Sequence, residues 1–229
     1  MNLKSLRYLL AVGLITMAGY SWATASPPKN DDPTWQDIAS IQWSTNNGGT
    51  WGNSALVVGQ SVEFKVTMHK NELGNHYADL LKVWIDTSGE GQFQADEAVL
   101  FGAHVDNASV TPWDRPEGNA PGYNQSFVFT SGPVNLTNAM LGDHFLLARV
   151  TCSESLLTTE LGSSYSWDKQ WGPSLDTYKS YFSPTAHYYQ GESELVKLTV
   201  NSVPEPGTLA LVTVAMLGMG WRRKQTTHI

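Results

Sequence analysis

Apolar and polar residues alternate with a period of two through much of the chain. Val62, Phe64, Val66 and Met68 are interleaved with Glu63, Lys65 and Thr67. Leu81, Val83 and Ile85 are interleaved with Lys82 and Trp84, and Val196, Leu198 and Val200 with Lys197 and Thr199. Successive side chains of a strand point to opposite faces, so this pattern predicts strands with one buried and one wet face. Further strands are expected at 40–43, 97–102, 126–130 and 144–152. Clusters of Gly, Asn, Pro and Asp, such as Asn46-Asn47-Gly48-Gly49, lie between them and suit turns. Nothing between residues 35 and 202 keeps a helical apolar period over three turns. The expected fold is all-β: an antiparallel β-sandwich of about seven to eight strands.

Residues 153–190 break the pattern. This insertion is long, weakly periodic and crowded with aromatics: Tyr165, Trp167, Trp171, Tyr178, Tyr181, Phe182, Tyr188 and Tyr189. So much aromatic surface disfavours disorder, and a loop of this length is expected to be functional or self-packed. Trp167, Trp171, Tyr178 and Tyr181 could stack on sugar rings while neighbouring Asp and Asn bind hydroxyls, forming a carbohydrate-binding platform. The competing expectation is that they bury one another and seal the edge of the sandwich.

The two ends follow different rules. Residues 1–25 read as a secretory signal peptide, expected to be helical: Lys4 and Arg7 in front, an apolar stretch from Leu9 to Gly19, and small residues at Ala23-Thr24-Ala25. A proline-rich linker, 26–34, leads to the domain at 35–202. The tail at 203–229 holds Val203-Pro204-Glu205-Pro206-Gly207, an apolar run from Leu209 to Trp221, and Arg222-Arg223-Lys224. As a helix that run is roughly 20 Å long against a hydrocarbon core of about 30 Å. It is a short membrane helix, able to cross transiently with the basic cluster on the cytoplasmic side. The three features in this order resemble the PEP-CTERM sorting signal. The resemblance implies recognition by an exosortase, a membrane cysteine peptidase, in a Gram-negative host that makes exopolysaccharide or biofilm. It also implies passage through the inner membrane to the cell surface or the extracellular space.

Composition narrows the partners. The chain has a formal net charge of −7, and its two ends are the basic-rich parts, so the domain between them is more acidic still. Such a surface argues against nucleic acid and anionic lipid and favours solubility or divalent cations. There is one cysteine, Cys152, so no internal disulfide can form. Leu146, Ala148 and Val150 share its alternating face, which makes it a core residue.

One segment has the spacing of a calcium loop. Asp86, Ser88 and Glu90 occupy the first, third and fifth places of a twelve-residue stretch, Gly91 the sixth and Glu97 the twelfth. Calcium takes six to eight oxygens: side chains of Asp86, Ser88 and Glu90, the Gln92 carbonyl, a water held by Gln94 and a bidentate Glu97. Phe93 would anchor the loop, which strands enter and leave. Lys82-Val83-Trp84-Ile85-Asp86, followed by Gly91, Phe93 and Glu97, resembles the signature of GEVED domains, and Arg149 matches their following arginine strand. That resemblance implies an extracellular bacterial β-sandwich without catalytic activity, carrying a structural cation.

Enzyme signatures are weak. His69, Glu72 and His76 are spaced wrongly for a zinc-peptidase helix, and no Gly-x-Ser-x-Gly elbow exists. The expected function is therefore that of an exported, non-catalytic surface or matrix protein. A carbohydrate-binding module is the alternative, and a secreted hydrolase a third.

Overall fold

The computed structural model describes residues 33–71, 76–105 and 125–203. The expected signal helix and short membrane helix lie outside them. Within the described residues the chain is mainly β, with nine strands in two sheets. The first sheet has the order β1 (Gln36–Ser44), β3 (Ser61–Lys70), β6 (Gln125–Thr130), with β7 (Val134–Asn135) pairing on the far end of β3. The second has the order β2 (Leu56–Val57), β9 (Glu192–Asn201), β8 (Gly142–Cys152), β4 (Ala78–Ile85), β5 (Ala98–Val105). β2 runs parallel to β9, so this sheet is mixed where alternation alone suggested antiparallel pairing throughout. β2 and β7 are two residues long, too short to leave a periodic trace in the sequence.

The central core lies between the sheets. Val62, Phe64, Val66 and Met68 of β3 meet Leu81, Val83 and Ile85 of β4 and Leu146, Ala148 and Val150 of β8. Burying each large aliphatic or aromatic side chain here contributes about 1.5–3 kcal/mol. The outer face of the first sheet stays polar, as alternation requires, with Lys65 lying over the Trp51 ring at 4.7 Å.

The outer face of the second sheet behaves differently. Every residue of β4 is buried, including Lys82 and Trp84, which the alternation assigned to water. The reason is the insertion, which folds as α1 (Ser153–Leu161), short 3-10 turns and α2 (Leu175–Tyr181). Leu156, Leu157, Tyr178, Phe182 and Tyr188 join Leu80, Trp84 and Leu147 in a second apolar cluster. α1 is nucleated where Cys152 Sγ accepts the Ser155 N–H at 3.3 Å, and Gly162, at φ 52°, ends it. α2 starts at Ser174, whose hydroxyl accepts the Thr177 N–H at 3.3 Å. Its end is capped from the sheet, because Lys82 Nζ donates to the carbonyls of Lys179 at 2.7 Å and Phe182 at 2.9 Å.

Candidate functional site

The acidic turn joins β4 to β5. Asp86 is fully buried, and its carboxylate accepts from within the turn: Oδ1 from Ser88 Oγ at 3.2 Å and Glu90 N at 3.1 Å, Oδ2 from Gly91 N at 2.7 Å. Gly91 sits at φ 73°, the left-handed region that lets the chain double back here. Glu97 closes the other side. Its Oε1 accepts from Thr87 N and Thr87 Oγ1, both at 2.8 Å, and from Ser88 N at 3.3 Å. Its Oε2 accepts from Gln94 N at 2.9 Å. Phe93 lies in the second apolar cluster.

The turn thus brings Asp86, Ser88 and Glu97 together, with Ser88 touching both acids. Glu90 enters through its backbone N–H, and Glu90 and Gln92 stand at exposed positions. Among the described residues, no three His, Cys, Asp or Glu side chains gather closely enough to hold a metal. The side-chain oxygens gathered in the turn are two carboxylates and a hydroxyl. That is the chemistry a hard cation takes, on acids whose lone pairs already receive N–H groups.

The four aromatics singled out in the insertion separate. Tyr178 is fully buried, stacks on Tyr77 at 6.0 Å and donates from Oη to the Gln170 carbonyl at 2.5 Å. It is a core residue and presents no face to a sugar. Trp167 and Trp171 are half-buried with ring centroids 5.8 Å apart, and Tyr181 is exposed. The insertion covers the outer face of the second sheet rather than sealing the sandwich edge.

Sequence reasoning gave Arg149 no role in holding the insertion, although that side chain does so. Fully buried, it donates from Nε to Ser193 Oγ at 2.9 Å and from its terminal nitrogens to the carbonyls of Ser183 at 2.8 Å and Ala186 at 2.7 Å. The guanidinium lies 4.6 Å from the Tyr188 ring centre. Burial lowers its pKa to about 10, which still leaves it charged at neutral pH. An arginine on a strand's supposedly wet face was the available signal.

At the opposite end of the core, Lys70, His76 and Asp79 are buried together. Asp79 lies 2.5 Å from Lys70 Nζ and 2.7 Å from His76 Nε2. Burial alone would raise the Asp79 pKa, but the neighbouring His76 and Lys70 overcome it and hold the carboxyl at about 2. His69 is across the sheet, 3.5 Å from Asp37, so the two histidines do not share a site, and Glu72 lies outside the described residues. Cys152 is sealed in: its thiol donates to Gln190 Oε1 at 2.7 Å, and burial pushes its pKa well up.

β9 ends at Asn201, followed by exposed Ser202 and Val203. Pro204, Glu205, Pro206, Gly207, Arg222, Arg223 and Lys224 lie outside the described residues. No curated protein matches the chain. Among solved structures a match is found, at a TM-score of 0.37 and 10% identity, to a hemolymph-type prophenoloxidase from a crustacean. The similarity covers 80% of this chain and 36% of that one, so the chain spans about a third of that protein's length. At residues 202–224 it matches the PEP-CTERM protein-sorting motif. By that motif the chain is an exported protein, sorted to the cell surface and processed by an exosortase.

Proposed function

We propose that this is a non-catalytic β-sandwich protein of the cell surface or extracellular matrix, associated with exopolysaccharide, and that its Asp86–Glu97 turn is a structural calcium site. The observation that carries the reading is the sorting motif at 202–224 joined directly to a β domain in which the Lys70, His76 and Asp79 cluster and Cys152 are buried. Lys70, His76, Asp79 and Cys152 are all buried, so none meets a substrate from solution. In the turn, Asp86, Ser88 and Glu97 would hold the ion, with Glu90 and Gln92 as further oxygens. The ion would neutralise the two acids and fasten β4 to β5.

Mass spectrometry of the mature C-terminus from cells with and without their exosortase tests the sorting part. Loss of the tail only where the peptidase is present is the expected result. An intact tail in both would sink the reading.

The half-buried Trp167–Trp171 pair, with Tyr181 exposed in the same insertion, favours a second reading, in which the insertion binds a polysaccharide. Retention on a polysaccharide column, lost on replacing both tryptophans, would favour it.

A further inference from the structure

Lys70 and Asp79 meet across the core from different sheets. Lys70 is the last residue of β3 in the first sheet, and Asp79 the second residue of β4 in the other. Each takes an inward position on its strand, next after Met68 on β3 and next before Leu81 on β4. Both side chains are fully buried, and Nζ meets Oδ2 at 2.5 Å. Lys197 and Asp143 also pair, at 2.8 Å, but they are 57% and 40% exposed, where bulk water competes for both groups. An amine and a carboxyl shut away from bulk water and held in contact can reach effective concentrations of about 10⁵–10⁸ M.

Two further groups stand at the pair. His76 Nε2 lies 3.2 Å from Lys70 Nζ and 2.7 Å from Asp79 Oδ1, so one ring nitrogen reaches both the amine and the carboxyl. It can take a proton from the first and give it to the second. Gln36 is the cross-strand neighbour of Lys70, and such neighbours share a face. It is fully buried, and neither its Oε1 nor its Nε2 has a hydrogen-bond partner. A buried amide in that state is costly unless polar chemistry beside it supplies a partner.

We propose that Lys70 and Asp79 condense into an amide bond once the sandwich has folded, tying the two sheets together covalently. The pair starts as ammonium and carboxylate. One proton moves from Nζ to the carboxyl, directly or through His76, leaving an amine and an acid. The Nζ lone pair forms a bond to Asp79 Cγ, and Gln36 Nε2 donates to the oxygen that gains charge. His76 takes a second proton from the nitrogen and hands it to the departing oxygen. The Cγ–O bond breaks and a water leaves. Of the three ammonium protons, one stays on the amide and two go with the water, so nothing is oxidised or reduced and no co-reactant is needed. A neutral amide replaces a buried ion pair and removes its desolvation cost. With one cysteine in the chain, no internal disulfide can supply such a cross-link. An amide does not titrate, so the acid sensitivity of Asp79 belongs to the chain in which the bond has not formed.

The test is peptide mapping of the full-length chain, purified folded and then denatured. Glu72 lies between the two residues in sequence, so glutamyl endopeptidase separates them unless they are bonded. The expected product is a branched peptide, one water lighter than its two arms together, with fragmentation placing the junction at Lys70 and Asp79. Lys70→Arg and Asp79→Ala should each give two separate arms. Lys70→Arg keeps the buried positive charge, so it serves where Asp79→Ala fails to fold. In chain made unfolded and then refolded, the branched peptide should appear with time, and roughly a hundredfold more slowly in His76→Ala. Two separate arms of unaltered mass from folded wild-type protein would overturn the cross-link. A branched peptide that survives Lys70→Arg would overturn its assignment to this pair. Bond formation at the wild-type rate in His76→Ala would overturn the part given to the imidazole.

Discussion

His144 Nδ1 lies 2.7 Å from the main-chain oxygen of Asp86. A carbonyl only accepts, so this nitrogen carries the proton, and the first residue of the acidic turn is tied to a buried side chain at the start of β8. The turn is thereby fixed from below by the imidazole and from within by its own two carboxylates.

Calcium is expected to raise the melting temperature of chelator-treated protein. An ion held only by the folded state adds about 2.7 kcal/mol at a hundred times its dissociation constant. Glu97→Ala should abolish that rise. It should also lower the metal-free stability by about 2 kcal/mol, since donors on Thr87, Ser88 and Gln94 lose a charged acceptor. Glu97→Gln should lose most of the calcium response and less of the metal-free stability. Differential scanning fluorimetry with calcium, magnesium and chelator separates the two roles. A wild-type protein indifferent to calcium leaves the turn closed by hydrogen bonds alone.

Acid should weaken the fold through Asp79. Its folded pKa of about 2 lies below the ordinary 3.8, so its contribution is complete above about pH 4 and is lost as pH falls toward 2. The loss is on the order of 2 kcal/mol. Urea unfolding at pH 5, 4 and 3 measures it, and Asp79→Asn should flatten that part of the profile. At neutral pH the same substitution should cost about 3–5 kcal/mol, because it strips the carboxylate from buried Lys70.

Gly102 of β5 and Phe129 of β6 meet where the two sheets approach each other. A Cβ at position 102 would lie 2.3 Å from the Phe129 ring, so Gly102→Ala must displace that ring. The expected cost is about 1–3 kcal/mol of overpacking. Combining it with Phe129→Leu should recover part of this, giving a favourable coupling energy in a double-mutant cycle. Simple additivity would show that the backbone, not the ring, yields.

Tyr178→Ala and the Trp167→Ala/Trp171→Ala pair should behave differently. The tyrosine fills the second apolar cluster, so its loss should cost about 3–5 kcal/mol in chemical denaturation and leave any glycan retention unchanged per folded molecule. Replacing the tryptophans should cost less stability and remove any polysaccharide binding. If Tyr178→Ala selectively abolishes binding in folded protein, the insertion has been misread.

The strands of the central core were legible because their signal is local. Seven alternating segments correspond to β1, β3, β4, β5, β6, β8 and β9, and the inward position of Cys152 follows from its neighbours on β8. The turn between β4 and β5 was legible as a compact acidic loop from the spacing of Asp86, Gly91 and Glu97. The part played by each carboxylate was not. Spacing places oxygens along a chain but does not say that Glu97 reaches back to the Thr87 and Ser88 amides, or that Glu90 faces solvent.

The outer face of the second sheet was misread for a related reason. Lys82, Trp84 and Arg149 sit at positions that a strand pattern assigns to water. They are buried because residues more than thirty positions away in the chain fold back over them.

By itself, then, the sequence determined what depends on neighbours along the chain: strand periodicity, turn positions, the acidic loop and the sorting tail. Tertiary structure decided which faces are covered, sending Tyr178 into the core and Lys82 to the end of a helix. Burial is set by whatever packs on a face from elsewhere in the chain, and a period of two carries no information about that partner.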